Sequence, residues 1–280
     1  MTFSIVGYDP DAKEFGVAVA SKFLGVGSVV PYAKAGVGAV ASQALGNPKY
    51  GIDGLALLEK GKTVEEVLQT LIDQDKDSNW RQVGMVDSVG HSMTYTGANC
   101  YDWAGGVAGA NFAIQGNILV DEYTVEAMHG TFLKAKGDLA TRLMQSLRSG
   151  DLAGGDRRGK QSAALLIVKE GAGYGDTDRY IDLRVDDHID PIPELQRLLD
   201  LHYLYFKPTD PDDILKIEGE LEQKLIEQLE KLGYYTRDST DLVTALQKFQ
   251  YIENFDERVQ QPGYVDRKVV EFLEQLVQEK

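Results

Sequence analysis

The sequence predicts a layered α+β domain built on antiparallel sheets, followed by a small three-helix bundle. Three observations carry this. First, strand-like runs and helix-like runs come in blocks (strands, two helices, strands, two helices, strands) and not in the one-by-one alternation of a parallel sheet. Second, neighbouring strand-like runs are joined by turn-formers such as DPDAK and SVG, as in antiparallel hairpins. Third, the Pro- and Asp-rich stretch KPTDPDDI marks a change, and only helical patterns follow it. The expected division is a domain over residues 1–206, a linker over 207–214 and a helical module over 215–280.

The elements follow in order. TFSIVGY and EFGVAVAS are apolar and rich in β-branched residues, so they read as a hairpin buried on both faces. SVVPYAKAGVGAVASQA continues extended, with Gly36 and Gly38 marking a bulge or a close backbone approach. The period then becomes helical in NPKYGIDGLALLEKG and KTVEEVLQTLIDQD, where Thr63 and Glu66 have the spacing of a capping box. RQVGMVDSVG with HSMTYTG, and then VAGANFAIQGN, return to extended structure. DEYTVEAMHGTFLKA, with Asp121 as N-cap, and DLATRLMQSLRSG form the second helical pair. SAALLIVKE and RYIDLRVD are strands, and IDPIPELQRLLDLHYLYF is a helix with Asp190 as cap and Pro191 in its first turn. In the module, ILKIEGELEQKLIEQLEKLG supplies Leu215, Ile217, Leu221, Leu225, Leu229 and Leu232 to a minimal core, and two further helices complete it.

Composition limits the function. At 280 residues with 43% hydrophobic content, the chain can bury a full core. A net charge of −15, from 29 basic and 44 acidic residues, repels phosphate backbones and anionic headgroups, so neither nucleic acid nor membrane is expected as a partner. Cys100 has no partner for an intrachain disulfide, and no basic-then-apolar leader or membrane-length run is visible; a cytoplasmic protein is expected. His91, His129, His188 and His202 are scattered, helix capping accounts for the acidic VDDHIDP cluster, and GAGYG lacks phosphate-loop spacing, so no metal and no cofactor is expected.

The chemistry-bearing candidates cluster near the start. If Met1 is removed, Thr2 carries a hydroxyl nucleophile and its own base, the α-amine, on one residue. Ser21 ends the second strand, and Lys34 stands in the third segment, where an ammonium would favour the ionised hydroxyl. Gln43, Asn47, Gln115 and Asn117 flank glycines at strand ends, where amides either hold a substrate amide or oxyanion or stabilise turns. In GGDRRGKQSAALLIV, Asp156, Arg157 and Arg158 crowd charge onto a glycine-rich loop, suited to a substrate carboxylate or to internal ion pairs.

MTFSIVGYDP, FGVAVASKFLGVG, GAVASQALGNPKYG, AIQGN, GGDRRGKQSAALLIV and RYIDLRVDDHIDPIPELQRLL together resemble the bacterial family called domain of unknown function 1028, over roughly residues 1–206. That family is similar to the N-terminal-nucleophile (Ntn) hydrolases, whose fold is a four-layer αββα sandwich and which cleave amide bonds. The resemblance therefore implies Thr2 as nucleophile and Lys34 as its lysine; where proteasome-like members place a carboxylate, this chain has Ser21. It also implies a homo-oligomer. LEKLGYYTRDSTDLVTALQKFQYIENFDERVQQPGYVD resembles a helical peptidoglycan-binding module that some members carry. Two readings result. One is an amidohydrolase acting on a small amide or peptide-like substrate, with Asn117 or backbone N–H groups at the oxyanion. The other is a catalytically silent scaffold whose module binds a glycan, such as a peptidoglycan precursor, or a protein.

Overall fold

The computed structural model describes residues 2–238 and 240–279. It is a mixed α+β structure with antiparallel sheets, and it divides into two compact units between Leu198 and Leu199. The first unit runs β1 (Thr2–Asp9), β2 (Glu14–Ser21), β3 (Pro31–Lys34), β4 (Gly38–Ala44), α1 (Pro48–Glu59), α2 (Val64–Gln74), β5 (Arg81–Asp87) and β6 (Ser92–Thr96). It continues with β7 (Gly105–Gly109), β8 (Phe112–Asn117), α3 (Tyr123–Lys134), α4 (Leu139–Leu152), β9 (Ser162–Gly173), β10 (Thr177–Val185) and the first part of α5 (Pro191–Phe206).

Six strands form one sheet in the order β10-β9-β2-β1-β8-β7, and four form another in the order β3-β4-β5-β6. The sheets face each other, with α3 and α4 against the first and α1 and α2 against the second. The side-chain pattern on the strands causes this packing. On β4, Ala39 and Ala41 enter the core between the sheets with Val6, Val17, Val19 and Val86, whereas Val40 turns to the opposite core beneath α1 and α2. Small residues inside and a larger one outside let the sheets approach closely while the helices still find an apolar floor.

On the outer face of the six-stranded sheet the glycine pair Gly7 and Gly16, cross-strand neighbours, receives Leu143 of α4. A Cβ on Gly16 would lie 2.8 Å from Leu143 Cδ1 and 2.5 Å from Ile167 Cδ1. Burying such a leucine contributes about 2 kcal/mol. Local signals set the helix starts: Asn47 caps α1 ahead of Pro48, Thr63 and Glu66 form the capping box of α2, and Asp138 caps α4. Gly38 marks a close approach, since a Cβ there would sit 2.4 Å from the Val86 carbonyl. At α3 the cap position is Glu122, one residue later than expected; Asp121 instead accepts from the Tyr123 N–H.

The second unit holds the remainder of α5, β11 (Ile214–Lys216), α6 (Glu220–Leu232), α7 (Leu242–Ile252), β12 (Tyr264–Asp266) and α8 (Arg267–Glu279). Its first segment corrects the sequence expectation. Ile214–Lys216 is a strand paired with β12, and helix begins only after Gly219, whose φ of 57° with ψ of −125° belongs to glycine. Leu215 and Ile217 still pack on the unit's core with Leu225, Leu229, Phe249 and Phe255. Arg258 and Asp266 form a buried ion pair at 2.5 Å, with Thr209 Oγ1 donating to Asp266 at 2.6 Å and the guanidinium donating to the Tyr203 carbonyl at 2.7 Å.

Candidate functional site

Thr2 opens β1 in the middle of the six-stranded sheet, with Asn117 opposite it on β8 and Ser21 ending β2 on its other side. The Thr2 and Ser21 hydroxyls share a hydrogen bond of 3.1 Å, and both side chains are buried. Directly behind them, polar side chains from both sheets interlock. Ser4 Oγ donates to Gln43 Oε1 at 2.6 Å and accepts from Gln115 Nε2 at 2.6 Å. Gln43 Nε2 donates to the Thr2 carbonyl at 3.1 Å and to Gln82 Oε1 at 2.8 Å. Asn117 Nδ2 donates to the same Gln82 oxygen at 2.9 Å and reaches the Thr2 carbonyl at 3.4 Å. Gln82 Nε2 in turn donates to the Gly116 carbonyl at 2.7 Å and to Thr96 Oγ1 at 2.9 Å.

This layer pins the backbone of residue 2. Its amides are buried and mutually engaged, which makes the network stiff because each member's partner is itself held. Gln43, Gln115 and Asn117 are thus brought to Thr2 from beneath. Gln115 Oε1 lies over Gly84, where a Cβ would come within 1.9 Å, and finds no hydrogen-bond donor. Asn47 is used elsewhere: it caps α1 through the Lys49 N–H and donates to Asp75 at 3.2 Å.

Lys34 is not brought to this site. It pairs with Gly38 at the far end of the β3–β4 hairpin and forms an exposed ion pair with Glu59 at 2.5 Å. Gln43 lies five residues further along β4, roughly 16 Å away at about 3.3 Å per strand residue. The charged loop divides by role. Asp156 is buried, accepts from the Lys22 N–H at 2.8 Å and from the Arg158 N–H at 2.8 Å, and so anchors the chain immediately after Ser21. Arg157 and Arg158 are exposed, with Arg158 leaning back on Asp156 at 3.4 Å.

Two hollows adjoin the hydroxyl pair. A small cleft of about 70 Å³ includes Ser21, Asp156, Lys160 and Ser162 in its lining. Burial works against the charge of Lys160, but hydrogen bonds to Asp151 at 2.6 Å and Asp190 at 2.8 Å hold its ammonium above the usual lysine range. A larger cavity of about 410 Å³ reaches Thr2, Ser42, Gln43 and Arg81. There the Arg81 guanidinium binds Asp75 at 2.8 Å, which is the main reason the Asp75 carboxyl falls to about 2. No group of three or more His, Cys, Asp or Glu side chains suited to a metal occurs among the described residues.

Sequence reasoning missed Ser4, Gln82, Arg81 and the cavity-lining Val26, Val29 and Val30. The signal for two of them was present: Ser4 and Gln82 are polar residues at inward positions of otherwise apolar strands, TFSIVGY and RQVGMVD.

An antiparallel α+β protein with a hydroxyl pair at the head of its central strands is the class that fold and site define. The family model described as "Family of unknown function (DUF1028)" matches residues 2–195, and the chain belongs to that family. A second model, described as "Putative peptidoglycan binding domain", matches residues 205–273. Among solved structures, the crystal structure of a DUF1028 protein from Silicibacter pomeroyi is similar, with a TM-score of 0.66 and 28% identity, covering 79% of this chain and 88% of that one. No curated protein matches. No helix among the described residues is long and apolar enough to cross a membrane.

Proposed function

We propose that the first unit is an amide-bond hydrolase of the Ntn type, its helix–sheet–sheet–helix packing being the αββα sandwich of those enzymes. The observation that carries this reading is the Thr2–Ser21 hydroxyl pair, 3.1 Å apart, with Thr2 in the wall of a 410 Å³ cavity and Ser21 in that of the small cleft. With Met1 removed, the freed α-amine of Thr2 takes the proton from Oγ1 as that oxygen attacks the amide carbonyl. The proton then passes to the leaving amine, and water hydrolyses the resulting ester. Ser21 orients the hydroxyl, and Asn117 with the amide layer holds residue 2 in place. Lys34, engaged with Glu59, has no part in it. The test is N-terminal sequencing of protein from its native cell, followed by a screen of small amides and peptides. Thr at the first cycle, with turnover abolished by Thr2→Ala and retained in part by Thr2→Ser, is the expected result; a uniformly retained Met1 overturns the mechanism.

A second reading has its own support, in that Thr2 and Ser21 are both neutral and the lysine is elsewhere. In that case the first unit is a silent scaffold and the second unit binds a glycan such as a peptidoglycan fragment. The match over residues 205–273 supports this; around a crevice of about 10 Å³, too small to enclose a sugar, Gln247 and Gln261 place amides able to bond sugar hydroxyls and Tyr264 a ring able to stack on a sugar's C–H face. Retention of the full chain on purified peptidoglycan, reduced by Gln261→Ala with Tyr264→Ala, is the measurement that separates it from the first.

A further inference from the structure

The cavity beside Thr2 has a one-sided chemistry. Its wall is mostly Phe23, Val26, Val29, Val30, Leu45 and Pro48. A volume of about 410 Å³ lies within the roughly 300–1,000 Å³ range of small-molecule sites. A single 3₁₀ turn, Val26–Ser28, builds much of that wall: Ser162 accepts the Val26 N–H at 3.1 Å, and the Val30 N–H returns to the Val26 carbonyl at 3.1 Å. A Cβ on Gly27 would lie 2.5 Å from Ala164 Cβ, so the turn sits hard against β9. The wall is therefore preformed.

Its polar members are already engaged with the protein. Thr2 pairs with Ser21, Ser42 donates to the Asn47 carbonyl at 2.9 Å, and Gln43 is bound within the amide layer. Arg81 would be the natural holder of an anion, but Asp75 at 2.8 Å, Asp77 at 3.8 Å and the Leu45 carbonyl occupy its guanidinium. Among the described side chains that line the cavity no cation is free to take a carboxylate, which would give up water on entering, an unfavourable exchange. An alkyl or aryl group would meet matching surface. Phe23 and Leu45, 50% and 56% exposed, offer further apolar surface beside the cavity.

We infer that this cavity is a recognition site for an uncharged apolar group, a branched aliphatic or aromatic side chain, carried next to the amide of a ligand. The amide part rests on the hydrolase reading; the apolar part rests on the cavity alone. The experiment titrates the full chain, methyl-labelled at valine and leucine, with N-acetyl-L-leucinamide, N-acetyl-L-phenylalaninamide and the α-amide of N-acetyl-L-glutamate. The Val29, Val30 and Leu45 methyl resonances are expected to shift with the first two, with affinity at least about tenfold greater than for the glutamate compound. Val29→Glu, at a position already 38% exposed and so compatible with folding, removes that preference while leaving the melting curve close to wild type. Equal response to all three ligands, response to none up to tens of millimolar, or a preference surviving Val29→Glu each overturns the inference. Selective binding with no turnover and a retained Met1 overturns the hydrolase reading and leaves the apolar site standing.

Discussion

Gln82→Leu is the sharpest test of the amide layer. The substitution keeps the approximate volume and removes both ends of the hub. Four close hydrogen bonds disappear: to the Gly116 carbonyl at 2.7 Å, to Thr96 at 2.9 Å, from Gln43 at 2.8 Å and from Asn117 at 2.9 Å. At about 1 kcal/mol net for each bond, the direct loss is about 4 kcal/mol. Gln43 keeps its bond to the Thr2 carbonyl, while Asn117 keeps only the weak contact at 3.4 Å there, so part of its desolvation cost is added. The leucine's apolar surface offsets some of this, and a net destabilisation of about 3–5 kcal/mol is expected. Both tryptophans, Trp80 and Trp103, lie in the first unit, so fluorescence during guanidinium unfolding reads that unit alone. A loss below about 1 kcal/mol at unchanged denaturant slope would mean that the layer contributes little and that residue 2 is held by the β ladder alone.

Two further outcomes follow from ion pairs. Arg258→Met leaves Asp266, with no exposed surface, uncompensated, and should cost about 3–5 kcal/mol in circular-dichroism unfolding of the second unit, partly recovered by adding Asp266→Asn. Asp75 has a folded-state value of about 2 against an ordinary 3.8, lowered chiefly by Arg81; this stabilisation is complete above the ordinary value and disappears as pH falls through about 2. Discounted for partial solvent screening, it amounts to about 1–2 kcal/mol. Asp75→Asn should therefore lower the first unit's stability by that amount at pH 7 and leave it nearly unchanged near pH 2.

Much of the fold was legible because its signals are local. The capping box at Thr63 and Glu66 depends on a few adjacent residues, and the structure places it as read. What was not legible depends on partners distant in sequence. Ile214–Lys216 has the apolar spacing of a helix start, but its strand partner lies some fifty residues later in β12. The placement of Lys34 depends on the register of a four-residue strand, which puts it against Glu59 and away from Thr2. Asn47 has the same flanking glycine as a site amide, yet the following proline and helix claim it as a cap. Gln82 is the hub of a network whose members come from five strands, and nothing adjacent to it in the chain announces that.

The central position of β1 has a consequence in time. Its two sheet neighbours are β2, made at once, and β8, which begins only at Phe112. At roughly 5–20 residues per second, roughly 5–25 s separate the synthesis of β1 from that of this second neighbour. Once β8 and the amide layer close, Thr2 is only 6% exposed. The layer that fixes residue 2 therefore cannot form until Gln115 and Asn117 have been made, and the edge of β1 that β8 covers stays open until then.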